Sequence, residues 1–295
     1  MKKKKRKLDL VSILLMAIIA IGIGLMTYPS LANYWNSFHQ SRAIMDYQKQ
    51  VTKLDTNQYG KMLADAAAYN TQFVKTGIKW NMSDDDKAVY NSLLSIENSG
   101  YMGYISIPKI NVMLPIYHGT TESVLQTSIG HLEGTSLPVG GESTHSVLSG
   151  HRGLPSSRLF TDLDKLKVGD RWTVNILNET YTYEVDQVRT LLPKDLSQIQ
   201  IEEGKDYQTL LTCTPYGVNT HRLLVRGHRV ANEDGDALVV ADAIQIEPIY
   251  IAPFIAIPIV LLLLIAFLTS THMQHKRKEI FARLTRKESP NEENN

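Results

Sequence analysis

The chain has 295 residues and a formal net charge of +1, enough for one sizeable domain or two small ones. The balance is uneven: six of the 31 Lys and Arg lie in residues 2–7 and six after residue 270, leaving 19 against 25 acids between the two ends. A middle of negative sign argues against nucleic-acid binding, which is built on basic surface.

Residues 10–28 carry no charge and have about the length that crosses a bilayer. The basic cluster before them places residues 1–9 in the cytoplasm. The segment 10–28 therefore reads as a transmembrane helix or uncleaved signal anchor. Ser30, Leu31 and Ala32 also have the small-residue pattern of a cleavage site, which keeps a removed signal peptide as the alternative. Residues 29–100 read as helical. Ile44, Tyr47, Val51 and Leu54 recur at helical spacing, as do Met62, Ala66, Tyr69 and Phe73, with a break at Asp55–Asn57. Ser83 before three aspartates predicts a third helix, capped by a hydroxyl and ending near Ser99 and Gly100. Adjacent acids on a helix diverge, so the three aspartates predict a solvated face and not a metal site.

From Tyr101 the pattern changes to short strands: 103–107, 112–116, 146–149, 171–177, 180–188, 208–213 and 222–230. Asn178 and Glu179 form a predicted hairpin turn. Prolines fall between or at the ends of these runs, where they harm a sheet least. Many short strands at close spacing predict a closed or nearly closed barrel over 101–230. Residues 231–248 read as a linker. Residues 249–270 contain a second uncharged run, in which Pro253 and Pro258 are tolerable inside a membrane. The basic cluster after it makes 271–295 a cytoplasmic tail. Two crossings return the chain to its starting side, so the middle lies outside the membrane.

Cys213 is the one cysteine in the chain. An exported cysteine with no partner is an intermolecular crosslink, a reactive thiol or an inert buried one. It ends a predicted strand and precedes a turn, where a side chain is held firmly yet can reach a cleft. His151, flanked by Gly150 and Gly153, lies just past another predicted strand, and Arg222 follows Cys213 across a short loop. A cationic imidazole lowers a thiol pKa, and a fixed guanidinium can stabilise an oxyanion. Arg226 shares the face of Arg222 and is the rival for that role. No two of the other histidines (His118, His131, His145, His221, His228) have the helical spacing of a zinc site.

The strings SGHRG (149–153), TLLTCTPYG (209–217) and THRLLVR (220–226) resemble the signatures of the sortase family, and more narrowly of its class C, the pilus-assembling sortases. The resemblance extends to GYISIPKI (103–110), LPIYHG (114–119) and HLEGTSLPVGG (131–141). It implies a mainly β fold: an eight-stranded barrel with N-terminal helices, flanked here by two membrane spans. It implies Cys213 as nucleophile, His151 as the imidazolium general acid and Arg222 as stabiliser of the oxyanion or substrate. The implied reaction is cleavage of an LPxTG-type motif between Thr and Gly, with transfer to a lysine of a pilin subunit and limited hydrolysis beside it. The implied partners are pilins and membrane lipid, with neither metal nor organic cofactor. The alternatives are a sortase that anchors surface proteins to peptidoglycan and a catalytically silent pilin-binding scaffold. One departure stands out. Class C enzymes carry a lid with an Asp-Pro-aromatic motif, absent here; Trp80 in TGIKWNMS (76–83) is the candidate plug, or else anchors the helices on the barrel.

Overall fold

A computed structural model of the chain describes residues 10–97 and 99–233, with Ile257, Val260, Leu261, Ile265, Leu268, Lys276 and Ile280. Most of the proposed second span, of the cytoplasmic tail and of the linker therefore lies outside the described residues. The chain divides into two units, residues 1–30 with 245–295, and Leu31–Ile244.

In the first unit, helix α1 (Leu10–Val51) begins where the apolar run begins. Its side chains at Leu14, Ile18, Ile21 and Leu25 stand exposed, and the helix is long and apolar enough to cross a membrane. α1 does not stop at residue 28. It continues unbroken through Pro29 into the second unit, so the helix predicted around Ile44 is the same helix and not a separate one.

In the second unit, α2 (Thr56–Thr76) starts at a capping box of Asp55 and Gln58 and closes at Gly77, whose φ of +67° suits glycine. α3 (Asp84–Ser92) is capped by Ser83 and Asp86. It ends well before the predicted Ser99, because Leu94 and Ile96 are drawn into the core and Leu94 takes a φ of +55°.

Eight strands follow: β1 (Tyr101–Ile107), β2 (Val112–His118), β3 (Ile129–His131), β4 (Thr144–Ser149), β5 (Arg171–Ile176), β6 (Glu179–Leu191), β7 (Asp206–Thr214) and β8 (His221–Val230). They close into a barrel in the order β1-β2-β3-β4-β7-β8-β6-β5. Pairs β2/β3 and β4/β7 are parallel and the rest antiparallel. All seven predicted strands are present. β3 escaped the sequence reading because three residues are too few to show alternation. The β5–β6 turn is Leu177–Asn178, one residue earlier than predicted, with Glu179 already paired to Ile176. Tyr47 of α1 fixes that turn: its hydroxyl accepts from the Leu177 N–H at 2.7 Å and donates to the Met102 carbonyl at 2.7 Å.

Side chains alternate across the barrel wall. Leu210 and Thr212 of β7 and Leu223 and Val225 of β8 are buried with the main core, beside Trp172 and Ile105. Leu211 and Leu224 belong to a separate apolar cluster on the other side of the wall. That second face carries the candidate chemistry.

Candidate active site

The parallel register of β4 and β7 sets Ser149 beside Leu211. Two residues further along each strand stand His151 and Cys213. Their neighbours are tied on both sides. Thr212 Oγ1 donates to the Gly150 carbonyl at 2.7 Å, and Arg152 Nη1 donates to Thr214 Oγ1 at 3.0 Å. The Gly150 N–H also donates to the Leu211 carbonyl at 3.1 Å. The residues before and after His151 are thus bonded to those before and after Cys213. Gly150 is glycine because a Cβ there would come within 2.8 Å of Phe160 and 2.9 Å of Ile129. On the other side of β7, the antiparallel register puts Arg222 directly opposite Cys213. His151, Cys213 and Arg222 therefore gather at one end of three adjacent strands.

Cys213 is a half-buried free thiol. The His151 side chain is 29% exposed, and its Nε2 lies 3.8 Å from Glu122 Oε2, beyond hydrogen-bond reach. Among the described residues that nitrogen has no hydrogen-bond partner. Arg222 Nη1 donates to the carbonyls of His221, its neighbour in β8, at 3.1 Å and of Asn219, in the loop before β8, at 3.3 Å. No carboxylate pairs with it among the described residues. Arg226 is differently placed. It makes a two-pronged pair with Asp186 at 3.0 and 3.0 Å, reaches Glu202 at 3.3 Å and stacks 4.1 Å from the centre of the Tyr207 ring. Its charge is already matched, which weighs against it as the oxyanion partner.

Three of the other histidines serve the fold. Burial pushes His131 down to about 3 and His145 down to about 4, so both are neutral at physiological pH. His131 bridges Tyr90 and the Ser136 carbonyl, and His145 bridges the Gln200 carbonyl and Thr209. His118 sits between the carbonyls of Gly100 and Leu93, and its burial lowers its pKa against the pull of those bonds.

An apolar cluster lies beside the thiol. Leu211 shares the face of Cys213, and Leu224 that of Arg222. With Val147 and Ile199 they form an apolar cluster, against which Leu191, Leu196 and Ile78 pack. Ile78 belongs to the segment between α2 and α3 that holds Trp80. The Lys79 N–H donates to the Gly134 carbonyl at 3.0 Å, and the Lys79 carbonyl fills the space a Cβ on Gly134 would need. Trp80 itself stands 40% exposed. The indole drew notice in the sequence because it is large; Ile78 gave no signal, being one apolar residue outside any periodic run. Arg152 also escaped notice as a separate contributor, since its partners Thr214 and Asp164 are distant in sequence.

A family model for the sortase domain matches residues 105–230. Sortase D of Bacillus subtilis is 30% identical over 148 residues, covering 49% of this chain and 72% of that protein. Among solved structures, sortase C1 from Streptococcus agalactiae is 70% identical with a TM-score of 0.64, covering 65% of this chain and 100% of that one. Sortase C of Streptococcus pneumoniae is 41% identical with a TM-score of 0.59, covering 65% of this chain and 97% of that one. With its eight-stranded barrel and structural neighbours of class C, the chain belongs to the sortase family.

Proposed function

We propose that the protein is a pilus-assembling cysteine transpeptidase, with Cys213 as nucleophile, His151 as acid and base, and Arg222 as the cation beside the oxyanion. The observation that carries this reading is the bracketing of His151 and Cys213 by the Gly150–Thr212 and Arg152–Thr214 bonds, with Arg222 opposite the thiol. Proximity of imidazolium and thiolate favours the ion pair. The Cys213 Sγ adds to the Thr carbonyl carbon of an LPxTG-type motif, and the developing oxyanion is held by the Arg222 guanidinium. Collapse breaks the Thr–Gly C–N bond, and the His151 imidazolium protonates the departing glycine amine. A lysine amine of a second pilin then attacks the thioester, giving up a proton to His151. The isopeptide bond forms and the thiolate is released; water in place of lysine gives the minor hydrolysis.

The apolar cluster around Leu211 and Leu224 suits the apolar residue that begins the motif. Ile78, in the segment between α2 and α3, packs against this cluster, and we read Ile78, more than Trp80, as the residue by which that segment covers the approach to the thiol. The exposed apolar helix at the N-terminus suits a membrane-anchored enzyme with its barrel outside.

The test is direct. Incubating the protein with an LPxTG-type pilin and a lysine-bearing acceptor pilin should give a covalent adduct, which Cys213→Ala abolishes. An adduct from Cys213→Ala removes the thiol from the mechanism. Adducts only with peptidoglycan amines identify an anchoring enzyme instead, and binding without adduct identifies a scaffold.

A further inference from the structure

Helix α1 is amphipathic in two opposite senses along its length. From residue 40 to 51 it is conventional: Ile44, Tyr47 and Val51 are buried, and Ser41, Arg42, Asp46 and Lys49 face outward. From 31 to 38 the faces are exchanged. The inward side is polar and hydrogen-bonded: Asn33 Oδ1 accepts from the Arg158 N–H at 2.9 Å, and Asn36 Nδ2 donates to the Ser156 carbonyl at 2.8 Å. Gln40 closes this polar row, donating to the Thr127 carbonyl and to Ser157. The outward side holds Leu31, Tyr34, Trp35 and Phe38, exposed by 53, 55, 64 and 46%. These positions follow the i, i+3, i+4, i+7 spacing of one helical stripe.

Four large side chains turned outward, while amides are turned inward, is the reverse of what water selects. The sequence supplies an apolar medium next door. The stripe begins three residues after the uncharged run 10–28, on the same uninterrupted helix. At about 1.5 Å per residue, the rise from residue 28 to 38 is about 15 Å. The headgroup layer on one side of a bilayer is about 5–8 Å thick; helix side chains lean toward the helix N-terminus, which brings the rings of Tyr34 and Trp35 back toward that layer and leaves Phe38 beyond it. Composition agrees: Tyr and Trp are the residues enriched at the membrane–water boundary. At the far end of the stripe the Arg42 guanidinium lies 5.2 Å from the centre of the Phe38 ring and covers it on the water side.

We propose that Leu31, Tyr34 and Trp35 lie in the headgroup region of the outer leaflet. The opposite face of the same turns is hydrogen-bonded to residues 127 and 156–158 of the barrel unit. This rests on the reading of residues 10–28 as a membrane anchor.

The experiment uses the full chain in nanodiscs with and without lipids brominated near the headgroup. Trp80→Phe leaves Trp35 as the exposed indole and Trp172, 1% exposed in the barrel core, as the internal reference. The expected result is a roughly twofold loss of the Trp35 emission in brominated discs, as for an aromatic-belt residue. A further Trp35→Phe substitution should remove the quenchable component. Incorporation into discs with unquenched Trp35 overturns the proposal and leaves the anchor standing. Failure to incorporate overturns the anchor, and the proposal with it. Disulfide-linked dimers from Trp35→Cys in a Cys213→Ala background would show a second copy on this face, and overturn the lipid assignment.

Discussion

The two ends of one sheet face carry similar residues put to opposite uses. Along the outer face of β4, β7 and β8, one end holds His145, Tyr207, Thr209 and Arg226; the other holds His151, Cys213 and Arg222. At the first end every group is consumed. Both ring nitrogens of His145 are bonded, and Arg226 is matched by Asp186, Glu202 and the Tyr207 ring. At the second end the His151 Nε2 has no hydrogen-bond partner among the described residues, its nearest carboxylate being Glu122 at 3.8 Å, and the bonds of Arg222 go to the backbone carbonyls of His221 and Asn219. Between them lie Val147, Leu211 and Leu224. The difference teaches that residue type does not distinguish the two ends of this sheet; unspent hydrogen-bonding capacity does.

The contrast is broken most severely at the two arginines. Arg222→Lys should lower kcat/KM by roughly a hundred- to a thousandfold, since an ammonium cannot reproduce a planar fork beside an oxyanion. Arg226→Lys should leave turnover within a few-fold and lower the melting temperature instead. Near-normal turnover in Arg222→Lys, or the larger loss in Arg226→Lys, would reverse the assignment.

Arg152 sharpens the comparison from the supporting side. Its side chain is only 9% exposed and reaches the Thr161 carbonyl at 3.1 Å as well as Thr214 and Asp164. Arg152→Ala cuts one of the two ties that set His151 against Cys213. The expected loss is about tenfold to a hundredfold in kcat with little change in KM, the signature of misplaced reacting groups. Equal loss in stability with unchanged kcat would make Arg152 merely structural.

The Ile78 contact offers a smaller effect. Ile78→Ala should speed labelling of Cys213 by a neutral thiol reagent about threefold to tenfold, as a local opening is made easier. Trp80→Ala should change it less, its ring being 40% exposed. The opposite ranking would restore the indole as the plug.

The smallest effect concerns the spent end. His145 has its pKa pushed by burial from 6.5 to about 4, so the unfolded chain binds the extra proton first. Its stabilising contribution is complete above about pH 6.5 and fades as pH falls toward 4. Melting temperature should therefore drop between pH 7 and 5, and drop less in His145→Gln. An identical drop in the variant would assign the dependence elsewhere, His131 being the next group with a lowered pKa.

Local chemistry made much of this protein legible in the sequence. The uncharged run beginning at Leu10, the helix break at Asp55, the cap at Ser83 and seven of the eight strands are written in composition and periodicity, which act within a few residues. The lone thiol and the strings around His151 and Arg222 gave the family. What tertiary structure alone decided depends on residues far apart in the chain. The β4/β7 register put His151 beside Cys213, a separation of 62 residues that no spacing rule bridges. Asp186 and Glu202 occupied Arg226 and left Arg222 free of carboxylate partners among the described residues. Ile78 packs against the apolar cluster of Val147, Leu211 and Leu224, all far from it in the chain, and the Lys79–Gly134 bond ties that segment to the loop after β3. A sequence states which groups a protein possesses; only the fold decides which of them remain uncommitted, because a hydrogen bond or ion pair is a property of two places at once.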